Sequence, residues 1–322
     1  TVEDPAPAAQ AVTAASGKDW SRAIADHDLP LVRALFEPRF YAKVAGLDPH
    51  ASAESLLNHF LQHGLEQDLA PGPLFDPAIA RALTGTTDEP ALLAWLKGRQ
   101  PNWRSPTQFF DKAFYRSYYR DFHGVDFDLF EHYAVHGVRE NRLPTFAFDP
   151  VWYAQAYVHP DDEKGMPAYL HYLLYGAERG LAPSRLLLTT FDQIGNTKRP
   201  GLDDYIAICR AGAAWVNKLD ADKMLAMIAM FCPYTYDGGG VLSAQASGPQ
   251  RLVDFLDRGI QAGLAPSKLF EPALYDKTGL DPDEPPFLNY LRRGWPKKKI
   301  ASRLYTEESY QAAHADIRSH NI

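Results

Sequence analysis

One six-residue phrase recurs along this chain, as FEPRFY (36–41), FDPAIA (75–80), FDKAFY (110–115), FDPVWY (148–153), FCPYTY (231–236) and FEPALY (270–275). Its first position falls at Phe36, Phe75, Phe110, Phe148, Leu187, Phe231, Phe270 and Tyr305, at intervals of 39, 35, 38, 39, 44, 39 and 35 residues. A self-similar period of this size is the signature of supersecondary units laid side by side. A second landmark keeps the same phase. LNHFLQHG (57–64), FEHYAVHG (130–137), YLHYLLYG (169–176), LVDFLDRG (252–259) and FLNYLRRG (287–294) end in Gly64, Gly137, Gly176, Gly259 and Gly294, and the next phrase begins 11 residues after each. Two units depart from the pattern. The unit at 75–109 carries ALLAWLKG (91–98), ending in Gly98 and one residue short, and the unit at 187–230 keeps only Phe191 at the fourth place, with no glycine near 220.

Each landmark has a physical reading. In F-D-P the Asp can accept from the free N–H groups of a first helical turn, and Pro sits where its missing N–H costs nothing. Aromatics four and five places on, such as Phe114 and Tyr115 or Trp152 and Tyr153, lie one turn along and can face a neighbour. Apolar residues seven and four places before the glycine, as in Leu57/Phe60 and Phe130/Tyr133, share one face of a second helix. The glycine itself fits a left-handed helix cap. The elbows GLAPSRL (180–186), GLAPSKL (263–269) and WRSPTQF (103–109) follow, where proline ends the helix and redirects the chain.

The predicted fold is therefore all-α, built from tandem two-helix repeats of about 35–44 residues stacked as an α-solenoid, since such a unit needs neighbours to cover its apolar face. Residues 1–18 read as a disordered Ala/Pro-rich tail, expected to continue from something larger, and 19–35 as an N-terminal capping helix. Repeats one to four occupy 36–186. The segment 187–230 is a degenerate repeat, expected to be a bend or partner-docking site. Repeats six and seven occupy 231–304, and 305–322 starts a further or capping repeat at LYTEESY (304–310). Only short runs such as LLLTT (186–190) suggest a strand.

Composition narrows the function classes. A net charge of −7 with a pI near 5.9 argues against a general nucleic-acid binder. Cys209 and Cys232 lack metal-type spacing and are too few for a disulfide framework. No apolar run reaches the length of a membrane span and no signal segment opens the chain.

The motif resembles a known family. Units reading F-D-x-x-Y-Y…P-D-V…H-Y-x-x-x-G-x-x-E-G-R-x-P-S occur in tandem in bacterial surface-polysaccharide glycosyltransferases, outside their catalytic domains, and in some adhesin-like surface proteins. Repeat 110–147 carries FDKAFY, EHYAVHG and VRENRLP, and 148–186 carries FDPVWY, Pro160-Asp161, HYLLYG and AERGLAPS. The resemblance implies a non-catalytic scaffold that positions a partner. Its alternatives are an acceptor-binding part of the glycosyltransferase itself or a segment of a secreted adhesin-like protein. A cytoplasmic or membrane-peripheral location is implied, or the cell surface if the protein is exported.

Few constellations offer chemistry. His59/His63 and His132/His136 are i,i+4 pairs able to begin a transition-metal site. His59, His132 and His171 nevertheless share one repeat position with Asp254 and Asn289, so a polar residue near a helix end explains the series and no metal is expected. The triplets Asp126–Asp128, Asp220–Asp222 and Asp281–Asp283 lack the strand end that a metal-nucleotide site requires. DGGGV (237–241) lacks the strand and the Lys of a phosphate loop. No catalytic motif and no cofactor are expected. RRGWPKKK (292–299) stands apart, gathering Arg292, Arg293, Lys297, Lys298 and Lys299 around Trp295 in an acidic protein. These are the candidate contacts for an anionic glycan, a lipid surface or a protein partner.

Overall fold

The computed structural model describes residues 20–100, 103–124, 126–159, 165–194, 198–275, 284–297, 299 and 301–303. Among them every regular element is helical and no strand occurs; LLLTT is itself a 3-10 turn running into the helix Leu188–Phe191. The chain divides into two compact units, Thr1–Arg99 and Gln100–Ile322. In the first, two 3-10 turns (Ser21–Ala23, Asp26–Asp28) and the helix Leu29–Leu35 precede repeats one and two. Proposed tail residues 1–18 and the restart at 304–310 lie outside the described residues.

The motif acid starts the first helix as its chemistry dictates. Asp111 accepts from Phe114 N–H at 2.9 Å, Asp149 from Val151 and Trp152 at 3.1 and 3.0 Å, Asp76 from Ala78 at 2.8 Å, and Glu37 from Phe40 at 2.6 Å. Helices Pro38–Ala45, Pro77–Thr84, Lys112–Tyr118 and Pro150–Tyr157 follow. Two repeats form only a turn there: in repeat six, at 233–235, Cys232 replaces the acid, and in repeat seven, at 272–274, Glu271 accepts from Arg303 N–H at 3.0 Å instead. Over their described residues both units depart from the two-helix expectation. The motif's second residue also clasps its own repeat: the N–H groups of Glu37, Asp111, Asp149 and Cys232 donate to the elbow carbonyls of Pro71, Pro144, Pro183 and Pro266 at 2.9, 2.9, 3.1 and 3.1 Å.

Second helices change pitch at a fixed place. Ala53–His59, Leu129–His132, Ala168–His171, Gly248–Asp254 and Pro286–Asn289 are α-helical, and each runs into one π turn: Phe60–Gly64, Tyr133–Gly137, Tyr172–Gly176, Phe255–Gly259 and Tyr290–Gly294. A π turn holds one residue more than the α turn it replaces. Repeat two, one residue short, has none, and Ala91–Gly98 is α-helical throughout.

The landmark glycine is not the cap that its sequence suggests. The left-handed residue lies four places later, at Asp68, Asn141, Gly180 and Gly263. The following N–H bonds back to the landmark glycine's carbonyl, at 2.9 Å in Leu69→Gly64 and 3.0 Å in Leu181→Gly176, the six-to-one bond of a Schellman ending. The glycine is needed because of a tyrosine. A Cβ on Gly137 would stand 2.9 Å from Tyr115 Oη and 2.7 Å from Tyr133 Cδ2, and one on Gly294 would stand 2.8 Å from Tyr275 Oη. On Gly176 it would overlap Tyr153 Oη.

That tyrosine is the fifth-place aromatic, and it is the buried member of the pair: Phe114 and Tyr115 are both sealed in, but Trp152 is half-buried against Tyr157 while Tyr153 is fully enclosed. Neighbouring repeats of the second unit meet through their second helices, with Tyr133 6.4 Å from Tyr169 and Phe255 5.7 Å from Phe287 between ring centres.

The degenerate segment is the largest departure from expectation. It forms the longest helix, Leu202–Val216, and then Ala221–Ala229. Tyr205, Ile208, Cys209, Gly212, Trp215 and Val216 form a buried face at helical spacing. Tyr205 Oη lies 3.1 Å from Thr145 Oγ1 and 3.2 Å from Tyr169 Oη; Trp215 Nε1 donates to Leu256 O at 2.8 Å; Ala221 N–H donates to Ser117 Oγ at 2.9 Å. This segment contacts repeats three, four and six and forms the interior of the second unit.

Two outcomes check this account. Gly176→Ala, normally neutral or favourable inside a helix, is expected to cost about 1–3 kcal/mol by overpacking. Adding Tyr153→Phe, which deletes the obstructing oxygen, should recover part of that loss; strict additivity in a thermal double-mutant cycle would refute the steric link. Limited proteolysis should cut first at 241–245, where Val241 is 71% exposed, and spare 202–229; early cleavage inside Leu202–Val216 would show that this helix is not interior.

Candidate functional site

The histidine series resolves into one repeated hydrogen bond. Tyr41 Oη meets His59 Nδ1 at 2.7 Å, Tyr115 meets His132 Nδ1 at 3.1 Å, and Tyr153 meets His171 Nδ1 at 3.0 Å. Tyr236 donates to Asp254 Oδ2 at 2.5 Å and Tyr275 to Asn289 Oδ1 at 2.8 Å. In the last two the partner oxygen only accepts, so the hydroxyl donates. Burial pushes Tyr41, Tyr115, Tyr153 and Tyr236 above the ordinary phenol range and keeps that proton in place. Repeat two has Ala80 at the tyrosine place and Ala94 at the acceptor place, and Trp95 fills the interior 5.7 Å from Phe75. Tyrosine, acceptor and π turn are lost together.

His59 and His63 lie 4.9 Å apart and His132 and His136 5.6 Å apart, between ring centres. Among the described residues no group of three or more His, Cys, Asp or Glu could hold a metal ion. Asp128 caps Phe130 and Glu131, and Asp220 caps Lys223 N–H at 2.9 Å, so two of the acidic triplets serve helix starts. Asp281–Asp283 lies outside the described residues. In DGGGV the Asp237 carboxylate accepts from Gly239 N–H at 2.8 Å, and Arg258 donates to Gly238 O at 2.7 Å. The glycines serve left-handed backbone at 238–240.

The basic stretch is brought only partly together. Arg292 and Arg293 are exposed in the π turn Tyr290–Gly294, and Trp295–Lys297 is one 3-10 turn whose indole is 43% exposed. Arg292 pairs with Glu284 at 2.8 Å. Burial alone would raise the Glu284 carboxyl, but bonds from Asn289 and Arg292 and the nearby Arg293 charge hold it below its ordinary value. Lys299 is half-buried, its N–H donating to Gly294 O at 3.0 Å and its ammonium 6.0 Å over Tyr275, which removes it from the exposed group. Lys298 lies outside the described residues. Lys218 is the member that sequence reading missed: Arg292 Nη2 donates to Lys218 O at 3.1 Å.

Comparison with protein-family models, with curated proteins and with solved structures returned no match. No helix among the described residues is long and apolar enough to cross a membrane.

The imidazoles supply a pH test. Burial, then the His63 charge, lowers His59; burial, then Arg142 and His136 against an opposing Glu140, lowers His132. A lowered imidazole contributes stability above the unfolded value of about 6.5, and that contribution is lost as pH falls from there through the native value. Replacing both by Asn, the acceptor that Tyr275 already uses, should flatten the fall in melting temperature between about pH 7.5 and 5.5 relative to the parent. Glu37 and Asp111, raised by burial, act with the opposite sign in both proteins and cancel in the comparison. Parallel pH profiles would show that these imidazoles carry no such term.

Proposed function

We propose that this chain is a non-catalytic helical repeat scaffold, its repeats stacked as an α-solenoid, that positions a partner as an accessory region of a bacterial surface-polysaccharide glycosyltransferase. The observation that supports it is the inward fate of the motif. The acid caps a helix, the tyrosine bonds to the next helix of its own repeat, and the glycine makes room for the hydroxyl. What is repeated is a way of packing, in which even the tyrosine–histidine pairs are turned inward between the helices of one repeat. The resemblance of 110–186 to the tandem units of such enzymes supplies the partner class.

Two measurements test the reading. Incubation with nucleotide sugars, divalent cations and polysaccharide acceptors should yield no sugar transfer; turnover that survives purification and disappears on Asp-to-Asn substitution in this chain would replace the scaffold with an enzyme. Deleting repeat seven from residue 269 onward should lower the melting temperature while most of the helical circular-dichroism signal persists, because quasi-one-dimensional arrays lose stability repeat by repeat. Loss of the whole signal would make the chain one indivisible domain and sink the array.

A further inference from the structure

Folding enlarges the positive surface around Trp295 beyond what sequence adjacency provides. Lys218, just past the helix Leu202–Val216, is exposed with its ammonium 4.7 Å from the Trp215 ring, and Arg292 reaches its carbonyl at 3.1 Å. The helix Ala221–Ala229 packs against the π turn that carries Arg292 and Arg293. Arg292 is bracketed between Glu284 and Lys218 O, so it fixes the two segments together and is partly neutralised. Lys218, Arg293 and Lys297 are exposed, the Lys218 ammonium resting over the Trp215 ring, and among the described residues none has a carboxylate at ion-pair distance. Lys223, on the adjoining helix, is already paired with Asp220.

Resting on the scaffold reading above, we propose that Lys218, Arg293, Trp295 and Lys297 bind an acidic glycan, an extended chain whose sugars carry carboxylates. Two observations select this ligand. The cations are exposed on three separate turns, which suits charges repeated along a polymer better than one small anion. The exposed indole offers a flat apolar face with a polar edge, suited to the C–H face of a sugar ring.

The test is a titration with fluorescein-labelled oligogalacturonate, read by anisotropy at low and high salt. The native chain should bind, and binding should weaken as salt rises, because exposed charges are screened beyond about 8 Å at physiological ionic strength. Lys218→Ala and the pair Arg293→Ala/Lys297→Ala should each weaken it, by roughly two- to fivefold per cation removed. Trp295→Ala should weaken it at both salts, and neutral dextran should not compete. All these side chains are exposed, and an unchanged melting temperature certifies the variants. Equal affinity of native and substituted chains, no binding at all, or preferential binding of phosphatidylglycerol vesicles or single-stranded DNA would each overturn the assignment. None of those results bears on nucleotide-sugar turnover or on repeat deletion, so this site can fail while the scaffold reading stands.

Discussion

The structure depends on where a tyrosine hydroxyl goes. A buried phenol must find a partner or lose the hydrogen bonds it made to water. In five repeats that partner is a side chain on the following helix, five places before a glycine, and the glycine's missing Cβ is the space the oxygen occupies. The α-to-π change begins at the residue after the acceptor, so the extra residue of the turn, the glycine and the hydroxyl form one arrangement. Repeat two shows the alternative: an apolar Ala80/Ala94 pair, a bulky Trp95 and an ordinary helix. π turns often mark functional sites. Here the turn has a packing cause, and this discourages reading the adjoining histidines as a metal centre.

Motif strength and structural importance run in opposite directions. Leu202–Val216 has none of the landmarks, yet its buried face touches repeats three, four and six, in which the motif is written. A repeat closed by its own backbone clasp and its own tyrosine bond offers neighbours only the outer faces of its helices. The degenerate segment has no such internal closure, and its aromatic and aliphatic groups go into gaps between other units.

Sequence periodicity made the repeats legible because their determinants are local: an acid immediately ahead of a helix, apolar spacing at seven and four, a proline elbow. The acceptor series was visible as a column of polar residues, but its purpose was not, since the hydroxyl it meets arrives from another helix. The glycine was misread for the same reason. Local rules assign a helix-terminal glycine to left-handed backbone, whereas Gly180 and Gly263 do that work and Gly176 and Gly259 yield to a distant side chain. The interior role of 202–229 rests on pairings such as Ala221 with Ser117, which no periodic signal announces. In the basic stretch, adjacency groups Arg293, Trp295 and Lys297, which are exposed, with Lys299, which is half-buried, and cannot show that Lys218 lies beside Arg292.

The clasp from the motif's second N–H to its elbow carbonyl makes each repeat that carries it a ring closed on itself, and rings of this kind tolerate damage unequally with the rest of the molecule. Asp149→Pro, which removes the donor N–H, opens one ring and leaves the closures at Pro144 and Pro266 intact. A lesion at Tyr205 withdraws a hydroxyl shared with Thr145 and Tyr169 and so loosens two rings at once. The chain is accordingly modular where its motif is written and fragile where it is not.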